Sequence, residues 1–175
     1  MILTDDEQLA DKAHYLTTQA KDDPVRYIHH EIGHNFRLTN IQSALGVAQL
    51  EQIPAFLKRK REIYKTYQTV IENIAGLTLA GVPDYSDNNH WMNLLQIDKE
   101  AYGEDREELM QRLDENGIQT RPVWALNHLQ KPYRDCQSYK IERAEDLVAN
   151  SLCLPSSSSL TNDEIKIVIT QLANK

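Results

Sequence analysis

The chain has 175 residues and a mass of 20.2 kDa, which suits one complete domain, or one domain and a substantial part of a second, because domains usually hold about 100 to 150 residues. Its 26 acidic and 19 basic residues give a formal charge of −7, which argues against nucleic-acid binding over a broad surface. Two cysteines are too few for a disulfide scaffold, and the lack of a signal peptide or of an apolar run near about 18 residues predicts a cytoplasmic protein that does not span a membrane.

The chain begins with a predicted strand and a predicted helix. Residues 1–3 are apolar, and residues 4–7 supply an N-cap and an acidic first turn for a helix that runs to about Leu16. Residues 21–24 break that pattern because they end in proline. We therefore expect a short strand that leads directly into the first helix.

Two further helices are predicted next. Thr39 and Gln42 have the spacing of a capping box, and the apolar residues after them recur every three or four positions, as on one face of a helix. Pro54 fits the first turn of a second helix of about twenty residues, which Gly76 is placed to end. The pattern therefore predicts separate helices before and after Ile53.

Shorter elements alternate after Gly76. Strands are predicted near 91–97, at 118–121 and at 152–154, and helices at 105–116, at 141–149 and from Thr161 onwards. This alternation predicts an α/β fold. The domain boundary is expected near Gly76, which gives a first part, 1–76, and a second part, 77–175.

The segment from His30 to His34 matches the H-E-x-x-H motif of zinc peptidases. On a helix, the two histidines would lie on one face and bind zinc, while Glu31 activates a bound water. The residues after the motif supply no third histidine, so a third ligand would have to be a glutamate such as Glu51 or Glu62. A zinc metallopeptidase is one hypothesis, and a loop with solvated histidines is the other.

Arg37 precedes a predicted helix start, where free backbone N–H groups favour a bound phosphate. Asn35 is close enough in sequence to assist. The alternative is that Arg37 pairs with a surface carboxylate. The basic run at 58–61 points around the whole circumference of a helix, which predicts a mostly solvated face.

A second candidate cluster consists of Arg121, Trp124 and His128. These residues follow the end of a predicted strand, where α/β proteins tend to bind ligands. A cation, an aromatic ring and an imidazole at such a place favour a binding site. The alternative is that Trp124 is buried and that His128 makes a structural hydrogen bond.

Residues 33–44 (GHNFRLTNIQSA) and 48–51 (AQLE) together resemble the G-x-N-x-R, Q-A-A and Q-L signature of the DegT/DnrJ/EryC1 family of pyridoxal-phosphate sugar aminotransferases. Residues 117–124, 129–133 and 152–157 resemble the branch that aminates 4-keto nucleotide sugars on the way to legionaminic-type bacterial surface sugars. The resemblance covers essentially the whole chain. It implies the C-terminal portion of a fold-type-I transferase, in which 1–76 is a remnant of the large domain with the dimer-contact and long connecting helices, and 77–175 is the small α/β domain.

The resemblance also implies a cofactor, pyridoxal 5'-phosphate, and a reaction that moves an amino group from a donor such as glutamate to a 4-keto nucleotide sugar. In the family, the lysine that binds the cofactor covalently lies upstream of the segment that 1–4 resembles. None of the ten lysines has the matching context. We therefore expect the C-terminal part of such an enzyme, without normal transaminase activity of its own. A non-catalytic dimerisation fragment is a further hypothesis.

The expected site residues follow from the same resemblance. It implies that Asn35 reaches across a homodimer to the cofactor phosphate of the neighbouring subunit and that Arg37 assists as a second anion contact. Trp124 and His128 would border the nucleotide-sugar pocket, and Arg121 is a further candidate for its wall. No catalytic residue and no metal ligand are expected in the chain.

Overall fold

The computed structural model of the chain describes residues 2–174. Contacts between Cα atoms divide the chain into a first unit that ends at Gln52 and a second unit that begins at Ile53. This division falls before the boundary predicted near Gly76. The assignment of 1–76 to a large-domain remnant and of 77–175 to a small domain stays a prediction.

The first helix, α1 (Glu7–Thr17), begins and ends close to its predicted positions. Asp6 caps it, because the Asp6 carboxylate accepts a hydrogen bond of 3.0 Å from the backbone N–H of Leu9. The strand predicted at 1–3 is wrong for residues 2 and 3, which form no strand, and Met1 lies outside the described residues. An extended segment becomes a strand only where another strand pairs with it, and none of the described strands does so here.

The long helix α2 (Asn40–Ile71) joins the two predicted helices into one of 32 residues. The helix start predicted at Pro54 is wrong, because this proline lies inside the helix. A proline removes one N–H from the hydrogen-bond ladder, and the residues on either side of the gap can remain helical. The helix ends at Ile71. Gly76, with a φ of +79°, makes a left-handed turn that leads into the next strand.

The second unit contains a four-stranded antiparallel sheet in the order β1-β2-β4-β3. Its strands are β1 (Leu77–Leu79), β2 (Asn93–Ile97), β3 (Arg121–Pro122) and β4 (Ser151–Leu154). Leu95 of β2 pairs with Leu79 on one side and with Leu152 on the other. The sequence prediction missed β1 and placed β3 too early, because neither strand is long enough to show a clear alternation of apolar and polar residues.

Four helices accompany this sheet in the second unit, besides the C-terminal part of α2: α3 (Lys99–Tyr102), α4 (Arg106–Glu115), α5 (Glu142–Ala149) and α6 (Asn162–Ala173). The capping box predicted for the last helix is confirmed, since the N–H of Glu164 donates to the Thr161 hydroxyl and the N–H of Thr161 donates to the Glu164 carboxylate. The predicted α/β class is also confirmed. None of the helices described between residues 2 and 174 is both long and apolar enough to cross a membrane.

The hydrophobic core of the second unit lies between one face of the sheet and the inner faces of α2, α4 and α6. Every second residue of β2 is buried, as expected for a sheet covered on one face. Tyr102 is fully buried, and its hydroxyl donates to the Leu172 carbonyl and accepts from Arg112, each at 2.9 Å. The core residues are Ile63, Tyr67, Ile71, Leu77, Leu79, Leu95, Ile97, Tyr102, Leu109, Leu113, Ile118, Leu152, Leu154, Ile165, Val168 and Leu172.

The first unit, in contrast, has almost no interior. Among residues 2–52, the only buried side chain is that of Ala20. Large apolar side chains in the same range are exposed, namely Ile2, Leu3, Leu9, Val25, Tyr27, Ile28, Ile32, Phe36, Leu38, Ile41, Leu45, Val47 and Leu50. A soluble monomer rarely leaves so many large apolar side chains uncovered in one region.

The basic run at 58–61 is only in part a solvated face, and the prediction is wrong for two of its residues. Arg59 and Lys60 are each only partly exposed. Arg59 donates to Oδ1 of Asn162 at 2.9 Å, which ties α2 to the start of α6. The four side chains do point around the helix, but the fold brings other segments within reach of two of them.

One buried polar side chain leads to a test of stability. Asn93 is 1% exposed, and neither its Oδ1 nor its Nδ2 has a hydrogen-bond partner among residues 2–174. An unpaired buried amide costs roughly 1 to 3 kcal/mol. We expect Asn93→Leu to raise the free energy of unfolding by about 1 kcal/mol, measured by urea denaturation. Asn93→Ala, which removes the amide but leaves a cavity, should gain less. A lower urea midpoint for Asn93→Leu would show that the amide has a partner.

Candidate functional site

The segment that carries Asn35 and Arg37 is held beside the end of α1 by backbone hydrogen bonds. The N–H of His34 donates to the Leu16 carbonyl at 2.7 Å, and the N–H of Phe36 donates to the Thr17 carbonyl at 3.0 Å. Thr18 and Asn35 form an isolated antiparallel bridge. The position of Asn35 is therefore fixed through its main chain, and its side chain remains available.

Gly33 permits this close approach. A Cβ atom at residue 33 would lie 2.4 Å from the backbone N of Ala20 and 2.4 Å from the backbone C of Gln19. Both atoms belong to the main chain, so neither can turn aside as the end of a flexible side chain could. The glycine in the G-x-N-x-R pattern is therefore required by packing against the turn after α1.

Asn35 and Arg37 both expose side chains with free donors. No residue from 2 to 174 makes a hydrogen bond or an ion pair with the Arg37 guanidinium or the Asn35 amide, so the carboxylate partner considered for Arg37 is not observed. The predicted capping box at the start of α2 is confirmed, with a bond of 2.9 Å from the Thr39 N–H to the Gln42 side chain. A guanidinium and an amide that lack protein partners suit the phosphate of a cofactor.

The H-E-x-x-H segment does not form a helix, so the geometry that the zinc hypothesis needs is absent. Glu31 forms an ion pair with Lys12, and the ring of His34 stacks on that of Phe36 with their centroids 5.1 Å apart. Within the described part of the chain, no three His, Cys, Asp or Glu side chains are grouped so that they could hold a metal ion. The structure gives the metallopeptidase hypothesis no support.

His30 takes part in a polar network that the sequence did not indicate. The Asp22 carboxylate accepts hydrogen bonds from the His30 N–H at 2.7 Å and from the Tyr15 hydroxyl at 2.9 Å. The bond from the His30 backbone lowers the pKa of Asp22, and the hydroxyl of Tyr15 adds to this shift. Asp22 thus links the backbone at His30 to Tyr15 of α1, which is a structural role.

In the second unit, Arg121 lies on β3 opposite Cys153 and is exposed. Its guanidinium has no hydrogen-bond or ion-pair partner anywhere in residues 2–174. His128 lies in a short 3₁₀ turn, Asn127–Leu129, with Nε2 3.4 Å from a carboxylate oxygen of Glu145. The structural contact considered for His128 is therefore present, although this bond is long.

Trp124 is 61% exposed, so the alternative of a buried tryptophan is wrong. Its ring lies beside that of Trp91, which is 59% exposed, with the two centroids 5.9 Å apart and an angle of 30° between the ring planes. Trp91 was predicted to begin a strand, whereas β2 begins at Asn93. These two residues are the only tryptophans of the chain, and the sequence carries no other signal that links them.

The backbone of Trp91 is anchored from two sides. Its carbonyl accepts a hydrogen bond of 2.7 Å from the Ser156 hydroxyl and one of 3.3 Å from the Lys60 ammonium. Lys60 also donates to the Ser156 carbonyl. Burial lowers the pKa of Lys60, and no carboxylate of the described residues lies within ion-pair distance of its ammonium. The Lys60 ammonium, which has no carboxylate partner among the described residues, therefore lies beside the main chain of Trp91.

Residues 1–173 match the model of the DegT/DnrJ/EryC1/StrS aminotransferase family. Among curated proteins, the chain is 35% identical over 178 residues to the putative pyridoxal phosphate-dependent aminotransferase EpsN of Bacillus subtilis, and 31% identical over 173 residues to GDP-perosamine synthase of Caulobacter vibrioides. Each alignment covers 98% of this chain, but only 45% of the first relative and 46% of the second. The chain thus spans about half the length of these relatives.

Solved structures of sugar aminotransferases share the fold. The aminotransferase TlmJ from Streptoalloteichus hindustanus superposes with a TM-score of 0.82 at 22% identity, over 97% of this chain and 45% of that protein. DesI, solved in the presence of its TDP-sugar product, gives a TM-score of 0.80 at 26% identity, over 98% of this chain and 43% of DesI. The fold is therefore a part of the aminotransferase fold of these proteins.

Proposed function

Because the chain belongs to the DegT/DnrJ/EryC1/StrS aminotransferase family, we propose that it acts as the C-terminal part of a pyridoxal-phosphate enzyme that aminates a 4-keto nucleotide sugar. The observation that carries this proposal is the family match over residues 1–173. The names of two similar proteins, GDP-perosamine synthase and a DesI structure with a TDP-sugar product, support a nucleotide sugar as the substrate. Bacterial surface polysaccharide synthesis, a glutamate-type amino donor and a cytoplasmic location belong to the same proposal.

We propose that Asn35 and Arg37 bind the phosphate of pyridoxal phosphate. The guanidinium of Arg37 would neutralise the phosphate, and the amide of Asn35 would donate to one of its oxygens. The backbone bonds at His34 and Phe36 and the contact at Gly33 fix this segment in advance, so little order is lost on binding. When bound in the complete enzyme, the cofactor supplies an electron sink for amino transfer.

We propose that the cluster of Arg121, Trp124 and His128 in the second unit binds the substrate. Arg121 offers a free cation for the diphosphate of a nucleotide sugar. The exposed ring of Trp124 offers an apolar face, and His128 offers an imidazole whose orientation Glu145 restrains. These roles follow the resemblance of residues 117–124 and 129–133 to the family.

The isolated chain should not bind pyridoxal phosphate covalently. None of its ten lysines lies in the family's matching context, and Lys12, Lys60 and Lys99 are already engaged by other groups. After incubation with pyridoxal phosphate and borohydride reduction, we expect no lysine to be modified at a stoichiometric level in peptide mass spectra. The 35% identical relative, treated in parallel, is the positive control. One specific lysine labelled to completion would contradict the proposal that this chain alone is inactive.

A chimaera tests the function itself. In it, this chain replaces the matching 45% of the 35% identical relative. We expect the chimaera to transfer an amino group from glutamate to a 4-keto nucleotide sugar, and we expect Arg37→Ala to raise the pyridoxal phosphate concentration needed for half-maximal activity by about tenfold or more, because it removes a charge-assisted contact. Lys58→Ala, which changes an exposed cation without a described partner, is the matched control. A folded chimaera with no activity on any 4-keto nucleotide sugar would refute the proposed function.

The uncovered surface of the first unit supports a non-catalytic role as well, namely that this region mediates association. Residues 40–52 of α2 include no buried side chain. We propose that a second copy of the chain covers this part of the helix and that the protein is a homodimer. This dimer and the aminotransferase assignment are compatible, because Asn35 is assigned to the cofactor of the neighbouring subunit.

A further inference from the structure

We propose that Trp91 is a base-binding residue, which together with Trp124 forms an aromatic platform for the flat heterocycle of a nucleotide. This inference rests on the proposed function, because it names the part of the nucleotide-sugar substrate that the platform would hold. Trp91 lies outside the segments that resemble the family signature. The platform consists of the two indole rings alone.

The two rings are accessible to a ligand in this chain. Two tryptophans that served only to pack two loops together would bury most of their surface, because burial of apolar area is what makes such packing favourable. Here each side chain keeps more than half of its area accessible. With the centroids 5.9 Å apart and the planes tilted by 30°, the rings do not overlap face to face. Aromatic surface therefore remains open for a third ring.

The anchoring of the platform argues for a rigid site. The Trp91 carbonyl is held by Ser156 and Lys60, so the loop that carries the ring is fixed through its main chain. Rigid aromatic side chains bind flat partners at a small cost in conformational entropy. Trp91 also lies two residues before β2, and Trp124 lies two residues after β3, so the strands limit the movement of both loops.

The charges close to the platform identify the occupant as a nucleoside diphosphate. The Lys60 ammonium donates to the main-chain carbonyls of Trp91 and Ser156 and has no carboxylate partner in residues 2–174. Arg121 is three positions before Trp124, and its guanidinium has no hydrogen-bond or ion-pair partner within that range. Aromatic rings for a base together with cations for phosphates are the combination that nucleotides require.

Intrinsic fluorescence tests this site directly, because both tryptophans of the chain belong to it. The full chain is titrated with uridine diphosphate, with guanosine diphosphate and with inorganic pyrophosphate, and N-acetyltryptophanamide corrects for absorption by the bases. We expect saturable quenching by the nucleoside diphosphates and much less by pyrophosphate. Trp91→Leu, monitored through Trp124, should weaken binding roughly tenfold, since the base loses a stacking partner. Trp91→Phe, which retains an aromatic face, should restore most of the affinity.

Both variants are expected to fold, because the side chain of Trp91 is exposed and its anchoring contacts involve the backbone carbonyl. Far-ultraviolet circular dichroism verifies this. Three outcomes would each overturn the inference. They are equal affinities of the wild type and Trp91→Leu for uridine diphosphate, equal quenching by pyrophosphate and by the nucleoside diphosphates, and an absence of saturable quenching.

The chimaera separates this inference from the proposed function. If the chimaera is active and Trp91→Leu leaves its KM for the nucleotide sugar unchanged, the base platform is wrong and the function stands. If the chimaera is inactive while quenching by nucleoside diphosphates still depends on Trp91, the function is wrong and the base platform stands. A raised KM with little change in kcat, restored by Trp91→Phe, supports both.

Discussion

Gly76→Ala should prevent the second unit from folding, or reduce its free energy of unfolding by more than about 4 kcal/mol. Two effects combine at this position. The φ of +79° is unfavourable for any residue with a Cβ atom and costs about 1 kcal/mol or more. In addition, the new Cβ would lie 2.2 Å from the backbone N of Tyr102 and 2.7 Å from its Cα. Tyr102 is fully buried, so its main chain cannot move without disturbing the core.

Two other glycines provide matched controls for this experiment. Gly117 has a φ of +73° but no atom within 4 Å of an added Cβ, so Gly117→Ala should cost only the conformational penalty of about 1 kcal/mol. Gly81 has the same open surroundings without a positive φ, so Gly81→Ala should change stability little. The free energies are measured by urea denaturation. Equal losses for Gly76→Ala and Gly117→Ala would show that the contact with Tyr102 does not limit this turn.

The chain should self-associate, and Leu50→Asp should weaken that association by more than about tenfold. Leu50 is 64% exposed on the part of α2 where no side chain is buried. Ile41, Leu45 and Val47 are exposed on the same stretch and do not all share one face with Leu50, so the helix is apolar over much of its circumference. Burial of one leucine contributes roughly 1.5 to 3 kcal/mol, and the substitution also places a charge in the interface.

Sedimentation velocity over a range of concentrations measures this association. Lys58→Gln is the matched control, because it changes the net charge by the same one unit on an exposed side chain of the same helix. We expect the control to retain the dimer or larger species that the wild type forms. A wild-type chain that is monomeric at high micromolar concentration, with residues 40–52 protected from hydrogen exchange, would mean that the apolar helix is covered by the chain itself.

The sequence located those elements whose signals are local. The caps at Asp6, at Thr39 and at Thr161 mark three helix starts within one or two residues, because a cap is a hydrogen bond between near neighbours in the chain. The Gly117 turn is of the same kind, since it follows directly from the end of α4. Pro54 shows the limit of local signals: a proline is favoured in a first turn and is unfavourable inside a helix, yet here it lies inside α2, which no local signal indicates.

For the candidate site, the sequence indicated candidate residues but not their surroundings. The resemblance named Asn35, Arg37, Arg121, Trp124 and His128 as binding residues. The sequence also contained the H-E-x-x-H motif, which can bind zinc as proposed only on a helix, and the structure forms no helix there. Trp91 was missed because it lies 33 positions before Trp124 in the sequence. No pattern of near neighbours indicates that two loops so far apart place their rings 5.9 Å from each other.

The sequence by itself thus determined the family, the α/β class, the helix caps and the identity of the exposed anion-binding candidates, because each of these depends on residues that are close in the chain or on a motif with fixed spacing. Only the tertiary structure decided the single helix α2, the strand order, the pairing of Trp91 with Trp124, the contact of Lys60 with the main chain of Trp91 and the bare surface of residues 40–52. These features depend on contacts between distant segments, and the free energy of such contacts comes from burial and packing, which side-chain spacing along the chain does not encode.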